Sequence, residues 1–147
     1  MNFKKILIAV DDSPFGMRAA HIGFDIAKQL SASVALVYVI NEMKELPNPD
    51  LGVDSRELHA TLLREADKTL DQYAEMYSDD IKMFRFTPEG DPKEEIIQIA
   101  AEWDADMIVI GSHGRSGISK IFMGSVADHV VRHSKVPVLL TPTELES

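Results

Sequence analysis

The chain contains no cysteine. That absence excludes thiol nucleophiles, disulfides and thiolate metal sites, and it fits a cytoplasmic location. Basic residues are also few, 15 Lys and Arg against 24 Asp and Glu, for a formal net charge of -9. Those 15 are scattered along the chain, which argues against nucleic acid or an anionic membrane as a partner. No apolar run approaches the ~20 residues that span a bilayer. The first run, Ile6 to Val10, ends at Asp11-Asp12 and is too short for a signal peptide, so the expectation is a soluble, unprocessed protein. Two phosphate signatures are missing as well. There is no G-x-x-x-x-G-K-[ST], and no G-x-G-x-x-G follows the first apolar run, which argues against a P-loop or dinucleotide-binding enzyme.

What the chain does have is a regular alternation of short apolar runs and helical stripes. Ile6 to Val10 is apolar without polar alternation, as in a strand covered on both faces. Ser13-Pro14 reads as an N-cap followed by proline at the first helical position, and Ala19, Ala20, Phe24, Ala27 and Leu30 form the stripe that follows. Ser33 to Ile40 is a second buried strand, and a loop runs through Pro47-Asn48-Pro49 to Gly52. Leu58, Leu62, Leu63, Ala66, Leu70, Tyr73 and Tyr77 place a long amphipathic helix between about Ser55 and Ser78. Ile81 to Thr87 alternates as a more exposed strand does. Asp91, Pro92 and Glu94 then open a helix whose apolar face is Ile96, Ile97, Ala100, Ala101 and Trp103. Met107 to Ile110 is a fourth buried strand, Ser125 to Ser134 a last helix, and Val136 to Thr141 a last strand.

Five strands alternating with helices predict an α/β fold: a five-stranded parallel sheet, doubly wound and Rossmann-like, in a three-layer sandwich. Its 147 residues suit one domain, 1–147, with 141–147 a short C-terminal tail. Ligands of such sheets bind beyond the C-terminal strand ends, where the winding reverses. Asp11, Val39-Ile40 and Gly111 all lie just past predicted strand ends.

The most telling stretch is Gly111-Ser112-His113-Gly114, nine residues, then Gly124-Ser125. Gly111 and Gly114 allow close backbone approach, and a helix starting at Gly124-Ser125 offers free N–H groups and a partial positive charge to an anion. A glycine after a strand is by itself only a turn, and Ser125-Val126-Ala127-Asp128 also reads as a capping arrangement in which the Ser125 hydroxyl serves its own helix. His113, Arg115 and Lys120 add positive charge or stand as solvated loop residues.

On these residues the chain resembles the universal stress protein family, in its ATP-binding branch. The resemblance rests on Ile6 to Asp11 with Ser13, Gly90-Asp91-Pro92, Asp106 to Ile110, Gly111 to Gly117, Gly124 to Ala127 and Val136 to Leu139. The spacing G-x-x-G, nine residues, G-[ST] is that family's ATP-binding pattern and is complete here. The resemblance implies adenine near Ala9, Val10 and the Val39 backbone, and Asp11 near the ribose. Gly111, Gly114, Gly124, Ser125 and Val126 would hold the phosphates, with His113 and Arg115 beside them. Asp12 stands where the family often has glycine and reads as a turn residue. The implied cofactor is ATP, or ADP or AMP, with Mg²⁺ or Mn²⁺ on the phosphates rather than in a protein cage.

Pro137 marks the last strand as an edge, which needs a cover. Family members dimerise there, so a homodimer through Val136 to Leu140 is expected; the chain's own tail, Pro142 to Ser147, is the other cover available. Three functional readings follow. One is a nucleotide-dependent regulatory or stress-response dimer, with a protein partner not named by the sequence. The second is slow ATP hydrolysis or nucleotidyl transfer in the same site, although no residue stands out as catalytic and Asp11, Asp12 and His113 qualify by composition only. The third is a dimeric interaction module with a vestigial pocket.

Overall fold

A computed structural model describes residues 2–41, 55–77, 80–113 and 123–142. Five strands alternate with four helices: β1 (Lys5–Ala9), α1 (Pro14–Leu30), β2 (Ser33–Val37), α2 (Ser55–Tyr77), β3 (Met83–Phe86), α3 (Pro92–Glu102), β4 (Met107–Gly111), α4 (Ser125–His133) and β5 (Val138–Thr141). All strand pairs are parallel, in the order β3-β2-β1-β4-β5. The chain therefore winds outward from β1 to β3, crosses back to β4 beside β1, and winds the other way. That reversal lies between β1 and β4, as a doubly wound sheet requires.

The uninterrupted apolar strands follow from burial on both faces. Ile6 and Ile8 join Val34, Leu36, Phe24, Leu70 and Tyr73 in a core under α1 and α2. Leu7 and Ala9 point the other way, joining Ala35, Val37, Ile96, Ile108, Ile110 and Val130 under α3 and α4. The expected apolar face of α3 is corrected at one position: Ile96, Ile99 and Ala100 are buried, and Ile97 and the C-cap residue Trp103 pack against the same core, whereas Ala101 faces solvent.

Of the predicted strands, β2 is shorter than expected at its C-terminal end and β3 at both ends. β2 stops at Val37, not Ile40, and β3 covers Met83–Phe86, not Ile81 to Thr87. Backbone bonding continues beyond them without regular pairing, from Tyr38 N–H to Phe86 (3.0 Å) and from Ile40 N–H to Pro88 (2.8 Å). Pro88 has no N–H to return, so only an isolated bridge, Ile40 with Glu89, follows. β5 lies at one edge of the sheet, as expected. Pro137 sits just before it, its carbonyl accepting from Ile108 N–H at 3.0 Å. Thr141 closes that strand, buried, with its hydroxyl 3.4 Å from the Ile110 carbonyl. At the sheet's other end the Asp106 carboxylate accepts the Lys4 and Lys5 N–H groups at 2.8 and 2.9 Å. That residue thus fastens β1 at the start of the strand, far from the C-terminal crevice.

Candidate functional site

β1 ends at Ala9, and Val10 still donates to the Val37 carbonyl at 3.0 Å. Ala9 and Val10 are both buried, and they form the floor at this strand end. Beyond that bond β1 and β2 part. Successive peptides in an extended segment point to opposite sides, and Tyr38 and Ile40 both donate toward β3. The Val39 peptide therefore faces the β1 side. Among the described residues its N–H and carbonyl have no backbone partner. Val39 offers an adjacent donor and acceptor beside the buried floor.

Asp11 follows, held by its neighbours. Its Oδ1 accepts the Ser13 N–H at 2.9 Å and the Ser13 hydroxyl, while that hydroxyl accepts the Gly16 N–H at 3.2 Å and so caps α1. The Ser13 cap and Pro14 at the first helical position are as read from sequence. No acidic residue occupies the first turn of α1, and the Asp11 carboxylate just before it is the negative charge that faces the positive end of that helix. Asp12 is exposed. Two contributors were not visible in the sequence. A Cβ on Gly16 would lie 2.6 Å from Asp11 Oδ1, so only glycine lets the first turn of α1 close on that carboxylate. Tyr73, one turn before the end of α2, places its hydroxyl 3.4 Å from the Asp11 carbonyl. Burial, then the neighbouring Asp11, pushes the Tyr73 hydroxyl pKa well up, so it is a donor at any physiological pH.

The end of β4 approaches from the other side of the winding reversal. A Cβ on Gly111 would lie 3.1 Å from the Phe15 carbonyl oxygen, so the glycine admits the first turn of α1 against β4. Ser112 N–H donates to the Thr141 carbonyl at 3.2 Å, and the Ser112 carbonyl accepts the Gly124 N–H at 2.7 Å. A Cβ on Gly124 would stand 3.0 Å from that same Ser112 oxygen. Gly111 and Gly124 thus have packing reasons of their own: together they bolt the starts of α1 and α4 to the segment after β4.

His113 corrects one reading. It is not a solvated loop residue but 7% exposed, with its ring 5.9 Å from that of Phe15. Ser125 corrects another. Gly124 is the N-cap of α4 and Ser125 the first helical residue, and no side chain makes a capping bond there. A cap must have extended backbone, and Gly124 adopts it (φ -64°, ψ 155°) one residue earlier than the Ser-x-x-Asp pattern implied. The Ser125 side chain is exposed and Val126 half-buried. Gly114, Arg115 and Lys120 lie outside the described residues.

The described residues expected at the site, Ala9, Val10, Asp11, Val39, Gly111, His113, Gly124, Ser125 and Val126, all fall at the C-terminal strand ends or on the helix starts bolted to them. Chemically the arrangement offers an apolar floor, a peptide edge, one oriented carboxylate and two helix N-termini. Among the described residues no three His, Asp or Glu side chains converge as a metal site. No described helix is long and apolar enough to cross a membrane.

A model described as the universal stress protein family matches residues 2–142. The chain is 35% identical over 142 residues to the universal stress protein MJ0531 of Methanocaldococcus jannaschii, covering 94% of this chain and 81% of that protein. It spans 44% of the length of a Mycobacterium tuberculosis universal stress protein, with 28% identity over 137 residues. Among solved structures it is similar to the protein MJ0577 of Methanocaldococcus jannaschii, at a TM-score of 0.83 and 28% identity over the whole of both chains. A universal stress protein in complex with cAMP shares the fold, with a TM-score of 0.68, 23% identity and coverage of 98% of this chain and all of that one. With a doubly wound parallel sheet and a family match over nearly its entire length, this chain belongs to the universal stress protein family.

Proposed function

We propose that this protein binds an adenine nucleotide, ATP with a divalent ion on its phosphates, and that occupancy of the site regulates a cytoplasmic homodimer or its contacts with another protein. The observation that carries the reading is the convergence of the α1 and α4 N-termini at the winding reversal, joined through Gly111, Ser112 and Gly124. Helix N-termini present unpaired N–H groups and positive potential, and a polyphosphate takes both. Hydrogen bonds to a charged group contribute about 1.5–3 kcal/mol each, so a few converging donors outweigh the repulsion of a net charge screened over ~8 Å.

The remaining surfaces suit the other parts of the nucleotide. The N–H and carbonyl of Val39, without a backbone partner among the described residues, match the donor and acceptor edge of adenine, above Ala9 and Val10. Asp11 is positioned to accept from a ribose hydroxyl. Gly111, Gly124, Ser125 and Val126 would line the phosphate end, with His113 walling it from within the protein; the family's pattern adds Gly114 and Arg115, which lie outside the described residues. The relative in complex with cAMP is an instance of this fold holding an adenine nucleotide. The chain would act as a single domain, with β5 as its dimer edge.

Calorimetric titration of nucleotide-free protein with ATP tests the reading, and Asp11→Ala sharpens it. Loss of one hydrogen bond to a carboxylate weakens ATP binding roughly 10- to 150-fold. Free adenine, which has no ribose, binds the variant as it binds the parent. ATP binding unchanged by the substitution rejects the ribose assignment, and wild-type protein that takes up no nucleotide rejects the site.

A further inference from the structure

α4 carries two histidines one turn apart, His129 and His133, in a part of the helix that the nucleotide crevice does not use. The crevice draws on the first turn, at Gly124, Ser125 and Val126, whereas the histidines lie in the last two turns. Their rings stack with centroids 4.1 Å apart and planes inclined by 24°, which makes them neighbours; because imidazole lone pairs lie in the ring plane, binding one ion requires the His129 ring to turn so that its nitrogen meets that of His133. Side chains four residues apart share a helix face, and the same spacing lets two histidines of H-E-x-x-H helices hold zinc. We infer that His129 and His133 form a surface site for a divalent transition-metal ion that prefers imidazole: Zn²⁺, Ni²⁺ or Cu²⁺.

The hydrogen bonding of His133 prepares it as a ligand. Its Nδ1 lies 2.9 Å from the His129 carbonyl oxygen. A carbonyl oxygen only accepts, so in the neutral ring the proton sits on Nδ1 and the lone pair on Nε2. Metal-ligating imidazoles are oriented in this way, with the second ring nitrogen donating to a carbonyl or carboxylate. The neighbouring cation does not compete. Arg132 Nε donates to both oxygens of Asp128, at 3.0 and 3.1 Å, which neutralises the guanidinium on the adjoining flank and occupies Asp128. Two imidazoles, with no third His, Asp or Glu side chain converging on them among the described residues, select against Mg²⁺ and Ca²⁺, which require oxygen ligands. Water fills the remaining positions. The residues between the pair are Val130, Val131 and Arg132, so the general-base glutamate of a zinc peptidase helix is lacking, and the site holds an ion without hydrolytic chemistry.

The test is titration of the nucleotide-free protein with Zn²⁺ and with Ni²⁺ in a calorimeter, alongside imidazole NMR spectra recorded with Ni²⁺. One ion binds per chain, and Ni²⁺ broadens the His129 and His133 ring resonances selectively. His129→Gln and His133→Gln each weaken binding at least tenfold, while His21→Gln and His59→Gln, elsewhere on the surface, leave it unchanged. His133→Cys restores Zn²⁺ binding, since thiolate is a zinc ligand and the chain has no other cysteine. Wild-type protein that binds neither ion, or undiminished binding in both Gln variants, overturns the site. Because the readout is metal uptake without nucleotide, it stands or falls apart from the ATP reading.

Discussion

Tyr73 is a residue whose environment says more than its position in the chain. Its ring is 3% exposed, in the core under α1 and α2, and its hydroxyl reaches the Asp11 carbonyl from 62 residues away. Burial and the nearby Asp11 raise its pKa, and burial with Asp25 raises that of Tyr77, whose ring stacks on Phe24 at 4.1 Å. Both groups lose their protons at higher pH in the folded chain than in the unfolded one. Where the unfolded state holds fewer protons, stability falls as pH rises. The stabilisation is thus fully present below the ordinary tyrosine value of about 10 and declines above it. Denaturant midpoints measured on the alkaline side should decrease with rising pH, and Tyr73→Phe should flatten that decrease. Phenolate absorbance of the native protein should show Tyr73 unionised until the chain unfolds. A midpoint independent of pH in this range, or Tyr73 titrating at its ordinary value in the native protein, would contradict the burial argument.

Two elements begin with the same device and differ in what lies beside it. Ser13 and Asp91 both cap helices that carry proline in the first turn, accepting from Gly16 N–H at 3.2 Å and Lys93 N–H at 3.0 Å. Replacing either with Ala costs about 1 kcal/mol, or roughly 2–4 °C in Tm for a chain of this size. Only Ser13 also tethers Asp11. Ser13→Ala should therefore lower both Tm and ATP affinity, whereas Asp91→Ala lowers Tm alone; calorimetry of the two variants separates the effects, and equal ATP affinity in both would break the link between the α1 cap and the site. These two starts were legible because cap and proline are local signals. The ends of β2 and β3 were not, because Tyr38-Val39-Ile40 is as apolar as the strand before it. What ends the pairing is Pro88, on the neighbouring segment. Gly124 was passed over as a cap for a related reason: a glycine cap has no side chain to announce it, and Ser125 beside it has the expected one.

At the level of the whole molecule, the alternation of apolar runs and helical stripes was enough for an all-parallel sheet, and the strand-end residues Asp11, Val39 and Gly111 marked the crevice. The contacts of Phe15, Gly16 and Tyr73 were beyond reach, since they depend on how α1 and α2 seat on the finished sheet. The order β3-β2-β1-β4-β5 puts β5 at the edge of the sheet, with no neighbour beyond it among the described residues, and backbone geometry shows what that edge presents. Ile108 donates to the Pro137 carbonyl and Ser112 to that of Thr141, so the peptides of Val138 and Leu140, offset by one, face away from the sheet. Leu139 packs against the core under α1 and α2, but Leu140 is 39% exposed. An apolar edge with free donors and acceptors pairs with another strand unless a charge blocks it. Leu140→Lys places that charge where the fold does not need the side chain. Tm should stay within a degree or two of the parent, while the dimer dissociation constant from sedimentation equilibrium should rise at least tenfold. If nucleotide occupancy acts on this edge, ATP should shift the parent's dimer equilibrium and leave the Lys variant's unmoved. A parent protein that sediments as a monomer with and without ATP would remove β5 as the dimer edge, and an equally tight dimer in the variant would move the interface to another surface.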